Sequence, residues 1–253
     1  MARFGRIRSM TGDSFVALDD AVAHKLDAAP WQGGEPASGP LVRGAELAPC
    51  CPKTVLCVAR NYRAHAAELG NDVPAAPMFF MKPASSILDP GGTVLLPPES
   101  ERVEYEGELA VVLGKRARRV SARDAMSYVF GYTLACDVTA RDLQRSDGQW
   151  TRAKGFDTFC PLGPTIDTEF AFGEAVLELW VNDEQRQRAP VSDMVFDIPT
   201  LIAEASRFTT LHPGDILLTG TPEGVGPLSA GDRVVVKCSG LADLTFSVAK
   251  EDA

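Results

Sequence analysis

The sequence predicts a β-rich α+β fold, built as a sandwich or closed roll, and three observations carry that expectation. Short runs of apolar and β-branched residues recur along the chain, helical periodicity is confined to a few short stretches, and strands do not alternate regularly with helices as a doubly wound or α/β-barrel protein requires. Residues 1–50 read as a small N-terminal β-rich segment and residues 51–253 as the main domain. At 253 residues and 45% hydrophobic content, the chain is long enough to bury one large core.

In the N-terminal segment, residues 4–8 and 14–18 alternate polar and apolar side chains, as half-buried strands do, and the Gly/Pro/Ser-rich stretch 30–40 reads as a loop. Residues 54–59 form an apolar run suited to a buried strand. Residues 61–69 are Ala-rich and run into Gly70-Asn71, which predicts a short helix stopped by a left-handed residue. Pro74 and Pro77 then hold an extended connection into a second buried strand at 78–81. Ser121 is placed to cap a helix whose first turn carries Asp124, and a strand over 130–136 delivers Asp137. The C-terminal half predicts strands at 176–181, 216–219 and 233–238. Turns at Pro213-Gly214-Asp215 and Ala230-Gly231-Asp232 lead into the last two, and one helix at 198–208 interrupts the series.

Between these elements, residues 103–113 read as one buried strand with Glu104, Glu106 and Glu108 at alternate positions. A strand turns successive side chains to opposite faces, so the three carboxylates share one side, roughly 7 Å apart, with Tyr105, Leu109 and Val111 on the other. Crowded, buried anions take up protons unless a cation neutralises them. A hard divalent ion such as Mg²⁺, which takes carboxylate and water oxygens, answers that need; the alternative is the wet face of an edge strand.

The net charge of -9 argues against nucleic acid or an anionic membrane surface as a partner. No run approaches the roughly 20 apolar residues of a membrane span, and residues 1–16 lack a signal-type hydrophobic stretch, so the expected location is cytoplasmic. The six cysteines show no C-x-x-C spacing and read as reduced, mostly buried thiols.

Six short motifs then occur in order: Asn61-Tyr62-Arg63-Ala64-His65-Ala66-Ala67-Glu68, Phe80-Met81-Lys82-Pro83, Tyr105-Glu106-Gly107-Glu108-Leu109-Ala110, Asp137-Val138-Thr139-Ala140-Arg141-Asp142-Leu143-Gln144, Lys154-Gly155-Phe156-Asp157 and Thr219-Gly220-Thr221-Pro222. Together they resemble the fumarylacetoacetate hydrolase (FAH) family, from about residue 54 to the C-terminus. The resemblance implies a mixed β-sandwich roll of the family's C-terminal-domain type and a homodimer. It also implies Mg²⁺ or Mn²⁺ held by Glu106, Glu108 and Asp137, with Glu104 demoted to a neighbour. Without it, Asp137 reads as an N-cap for a helix over 140–144.

His65 and Glu68, at i and i+3, lie on one helical face, where the carboxylate can accept the imidazole proton. The resemblance makes them a lid dyad that positions or deprotonates water; an incidental surface histidine is the plain alternative. It makes Lys154, read as a cation in a tight loop, a stabiliser of developing enolate or oxyanion charge. It makes Gln144 and Thr221 substrate contacts, with the Thr221 hydroxyl and amide open to a carboxylate, and leaves Lys82 and Arg141 between substrate-binding and structural roles. Founding members of the family add an upstream aspartate ligand with no counterpart here, so fumarylacetoacetate itself is not the expected substrate. The expected activity is hydrolytic cleavage of a C–C bond in small 2,4-dioxo carboxylates, with a 2-oxo or enol carboxylate as substrate. The alternatives are an oxaloacetate-type decarboxylase, a 2-hydroxyhepta-2,4-diene-1,7-dioate isomerase and a metal-stabilised binding module without turnover.

Overall fold

The computed structural model describes residues 3–19, 22–38 and 41–251. Their strands form two main sheets with the largest apolar core between them, as a β-rich α+β sandwich requires. Among the described residues the larger sheet has ten strands. In spatial order it runs Val22–Lys25, Gly12–Asp19, Arg3–Ser9, Thr165–Asp167, Val129–Cys136, Gly107–Leu113, Ile216–Leu218, Val55–Ala59 and Met78–Lys82, with Ala45–Leu47 also paired to Arg3–Ser9. The N-terminal strands therefore extend the large sheet. The second sheet runs Glu184–Pro190, Val176–Val181, Arg233–Cys238, Leu244–Lys250 and Thr93–Leu96.

Strand Gly107–Leu113 lies in the middle of the large sheet and is buried on both faces. Leu109, Val111 and Leu113 enter the core between the sheets, while Ala110 and Val112 enter a second core with Cys57, Ala135 and Ile216. A central strand covered on both sides has no wet face, which removes the edge-strand alternative for Glu108. The expectation of one continuous strand over 103–113 needs correction. The ladder breaks at Glu106, because Val103–Tyr105 pairs with Thr139–Ala140 and Gly226–Pro227 in a separate small sheet, whereas Gly107–Leu113 pairs with Val129–Cys136 and Ile216–Leu218.

The helices follow local chemistry. Arg63–Glu68 is helical and is followed by Gly70 at φ 68, the left-handed stop that the sequence predicts. In Ala122–Ala125 the Ser121 hydroxyl accepts from the Asp124 amide, and in Ile198–Phe208 Asp197 accepts from Thr200. Asp137 is not a cap: the following helix is Arg141–Ser146, its N-cap is Ala140, and Thr139–Ala140 is extended. Lys154 lies in a short helix, Thr151–Gly155, rather than a loop. Strand Glu184–Pro190 is nearly all polar and escapes an apolar-pattern reading. It forms because Asn182 and Asp183, at φ 50 and 66, turn the chain back onto Val176–Val181. In the 30–40 stretch, Pro30–Gln32 forms a single 3₁₀ turn, and residues 39–40 lie outside the described residues. No described helix is long and apolar enough to cross a membrane.

Candidate active site

Strand pairing builds the centre of the site. Gly107 is in register with Cys136, so Glu106 and Asp137 are set side by side, and the Asp137 amide donates to the Glu106 carbonyl at 2.8 Å. Glu108 follows one residue into the strand. Glu106, Glu108 and Asp137 each offer a ligand oxygen, and these atoms all lie within 4.8 Å of one another. All three side chains are buried.

Three buried cations surround them. Lys154 Nζ donates to Glu106 Oε2 at 2.8 Å and to Asp137 Oδ2 at 2.6 Å. Lys82 Nζ donates to Asp137 Oδ1 at 2.6 Å and to the Val138 carbonyl at 3.1 Å. Arg141 spans Glu106 Oε1 through Nη2 at 2.5 Å, Glu104 Oε2 through Nε at 2.6 Å and Gln144 Oε1 through Nη1 at 2.6 Å. Glu104, also paired with Arg102 at 2.6 Å, thus belongs to the arginine and not to the ligand group.

Glu108 differs from the other carboxylates. The hydrogen bond it receives comes from the Gly220 amide at 2.6 Å, and among the described residues no cation pairs with it. Burial, together with the Asp137 and Glu106 charges, pushes its carboxyl well above the usual range. Burial would also raise Glu106, but the Lys154 and Arg141 charges outweigh it and hold that carboxyl below its ordinary value. Glu104, Glu106 and Asp137 each pair with a buried cation, and among the described residues Glu108 pairs with none. Three clustered hard oxygen donors, one of them without a cation partner among the described residues, fit a divalent cation of the Mg²⁺ or Mn²⁺ type.

One consequence is linkage to protons. With the Glu108 carboxyl raised, a cation must displace a proton on binding, so affinity for Mn²⁺ is expected to rise with pH. Calorimetry in buffers of different ionisation enthalpy checks this as proton release on binding; pH-independent binding with no released proton counts against it.

The ligand group opens on a cavity of about 60 Å³ whose wall includes His65, Arg141, Gln144, Lys154 and Thr221. His65 is 5% exposed and sits on helix Arg63–Glu68, with Nδ1 at 3.4 Å from Glu68 Oε2. The Glu68 carboxylate also accepts the Gly224 amide at 3.0 and 3.2 Å, so it ties the imidazole and the 219–226 segment together.

Residues 54–249 match the fumarylacetoacetate (FAA) hydrolase C-terminal family. The chain belongs to this family. It is 45% identical over 200 residues to the mitochondrial oxaloacetate tautomerase FAHD1 of Arabidopsis thaliana, covering 77% of this chain and 90% of that protein. The structure of 2-hydroxyhepta-2,4-diene-1,7-dioate isomerase from Mycobacterium marinum superposes with a TM-score of 0.91 at 37% identity, covering 100% of both chains. That of fumarylpyruvate hydrolase from Pseudomonas aeruginosa, in complex with Mn²⁺ and pyruvate, gives 0.74 at 34% identity, covering 83% of this chain and 93% of that one. This FAH-family chain is accordingly an enzyme, and the binding-module alternative falls away.

Of the ten site residues expected from the sequence, eight line the one cavity. Lys82 and Glu68 stand behind it, against Asp137 and His65. The Thr221 hydroxyl is not open to a ligand as expected: it donates to the Gly107 carbonyl at 2.9 Å and accepts from Gln187 at 2.8 Å. Gln187 itself escaped sequence reasoning. Buried on the polar strand Glu184–Pro190, it accepts the Gly107 amide and donates to Thr221 and the Pro222 carbonyl, clamping the carboxylate strand to the 219–222 segment. Its only signal is an inward register shared with Ala189. Asn61, present in the first motif but assigned no role, is fully buried and bonds the Thr219 carbonyl and both backbone groups of Phe196.

Gly220 is needed at its position. Its φ is 96, and an added Cβ would lie 2.8 Å from Asn61 Cβ while its amide serves Glu108. Gly220→Ala is expected to cost about 1–3 kcal/mol of stability and to weaken metal binding, read from the denaturation midpoint and from Mn²⁺ titration.

Proposed function

We propose that this family member is a divalent-metal-dependent hydrolase that cleaves the C3–C4 bond of small 2,4-dioxo carboxylates, with Mg²⁺ or Mn²⁺ on Glu106, Glu108 and Asp137. The observation that carries this reading is the opening of the carboxylate trio and of the hydrogen-bonded His65 onto a single small cavity. When bound, the cation supplies Lewis acidity to the 2-oxo carboxylate end of the substrate. Glu68 accepts from His65 Nδ1, which leaves Nε2 as the basic nitrogen. His65 then removes a proton from water as the water oxygen bonds to C4, and it returns that proton to C3 after the C3–C4 bond breaks. The products are a carboxylic acid and pyruvate. Lys154 holds positive charge beside the position where the enolate oxygen gains negative charge, and Arg141 keeps Gln144 oriented on the cavity wall.

A second reading is keto–enol tautomerisation of an oxaloacetate-type acid, in which His65 moves the C3 proton and no water is consumed. The 45% identity to a named oxaloacetate tautomerase favours it. Incubation with Mg²⁺ or Mn²⁺ and acetylpyruvate, oxaloacetate or a hydroxydienedioate separates the readings. Pyruvate released from acetylpyruvate supports hydrolysis. Accelerated loss of oxaloacetate enol absorbance without pyruvate supports tautomerisation, pyruvate with CO₂ supports decarboxylation, and a shifted dienedioate spectrum supports isomerisation. No turnover of any of them sinks the chemistry. A cytoplasmic homodimer completes the proposal, and light scattering on the purified enzyme tests the assembly.

A further inference from the structure

Asn61 lies between strand Val55–Ala59 and helix Arg63–Glu68, and its polar side chain is fully buried. A buried amide is stable only where its hydrogen-bonding groups find partners. Nδ2 donates to the Phe196 carbonyl at 3.1 Å and to the Thr219 carbonyl at 2.8 Å, and Oδ1 accepts the Phe196 amide at 2.8 Å. The two bonds to Phe196 tie one loop to another. The bond to Thr219 reaches the metal centre.

The Thr219 carbonyl and the Gly220 amide belong to one peptide group, in which a trans bond points them in opposite directions. Asn61 holds the oxygen, while the N–H donates to Glu108 Oε2 at 2.6 Å. The residues on either side are anchored independently of this peptide. The Thr219 amide and hydroxyl donate to the Leu109 carbonyl at 3.1 and 2.8 Å, and the Thr221 hydroxyl donates to the Gly107 carbonyl. Glycine at position 220 gives the backbone freedom to turn, so the peptide could rotate between those anchors and aim its oxygen at Glu108 instead. Among the described residues, the hydrogen bonds that oppose this rotation are those to Asn61 and Glu108.

We propose that Asn61 is a positioning residue for the metal centre: by holding the Thr219 carbonyl it keeps the Gly220 N–H on Glu108 and so sets the orientation of that carboxylate for a divalent cation. The inference rests on the metal site of the proposed function.

The test titrates Mn²⁺ calorimetrically into the unsubstituted enzyme, Asn61→Ala and Ser206→Ala. Ser206 is as deeply buried as Asn61, and its hydroxyl accepts the Val120 amide and donates to the Ala203 carbonyl. Its helix contributes no residue to the cavity wall, so Ser206→Ala reproduces the loss of a buried polar side chain away from the site. Asn61→Ala is expected to weaken Mn²⁺ binding about tenfold or more, and Ser206→Ala to change it by less than about twofold, whatever each does to the thermal midpoint. A second measurement needs no variant. The chain has three asparagines, Asn61, Asn71 and Asn182, and in protein labelled at the asparagine side-chain nitrogen the Asn61 resonance is expected to shift on saturation with Mg²⁺, because linked hydrogen bonds polarise one another. Mn²⁺ affinity in folded Asn61→Ala equal to that of Ser206→Ala, or an Asn61 resonance that Mg²⁺ leaves in place, overturns the role of Asn61 and leaves the metal site standing. Failure of the unsubstituted enzyme to bind Mn²⁺ overturns the metal site, and the role of Asn61 falls with it.

Discussion

Replacing Glu106 with alanine is expected to abolish divalent-cation binding and turnover together. The change removes one of the three carboxylates that offer a ligand oxygen to the site. Removing a ligand outright should exceed the effect of losing a supporting contact, so Mn²⁺ affinity is expected to fall by more than about a hundredfold in calorimetry. Glu106 also anchors Arg141 and Lys154, and stripping one partner from a buried ion pair costs about 3–5 kcal/mol. Glu106→Gln preserves the shape and part of the hydrogen bonding, so it separates loss of the ligand from loss of the fold. Near-normal Mn²⁺ affinity in a folded Glu106→Gln protein would remove the metal centre as assigned.

His65→Ala is expected to do the opposite with respect to the metal: binding persists while turnover falls by about 10²–10⁴-fold, mostly in kcat. His65 belongs to a different element from the ligands, and its recorded partner is Glu68, not a carboxylate of the trio. Removing the imidazole therefore leaves the ligand geometry untouched and takes away the group that moves the proton. Glu68→Gln should fall between His65→Ala and the unsubstituted enzyme, because the imidazole loses its anionic partner while the tie to Gly224 is preserved. If His65→Ala lost metal as completely as Glu106→Ala, the division of labour between binding and proton transfer would fail.

The two predictions depend on different kinds of information. The expectation for Glu106, Glu108 and Asp137 came from the family resemblance that the ordered motifs carry; spacing alone left a wet strand face open for the glutamates and an N-cap for Asp137. The structure brings those three together, and it leaves Glu104, which the resemblance had already set apart as a neighbour, bound to Arg102 and Arg141. Nothing in the local pattern distinguishes Glu104 from Glu106. The distinction arises because the chain changes ladder partners between them.

The positions of most strands and of helix Ile198–Phe208, the cap at Ser121, the β-rich class and the residues that converge on the site were set by the sequence itself. Apolar period, turn chemistry and caps act within a few residues, so they are legible without coordinates. Only the tertiary structure decided that the acidic strand breaks at Glu106, that Lys82, Arg141 and Lys154 are spent on carboxylates, and that a glutamine from a polar strand clamps Thr221. Each of those outcomes is set by which side chains meet across long stretches of chain, as Gln187 meets Gly107 and Lys154 meets Glu106. In a buried site the charge and hydrogen-bonding capacity of a residue depend on such partners, and local sequence carries little information about them.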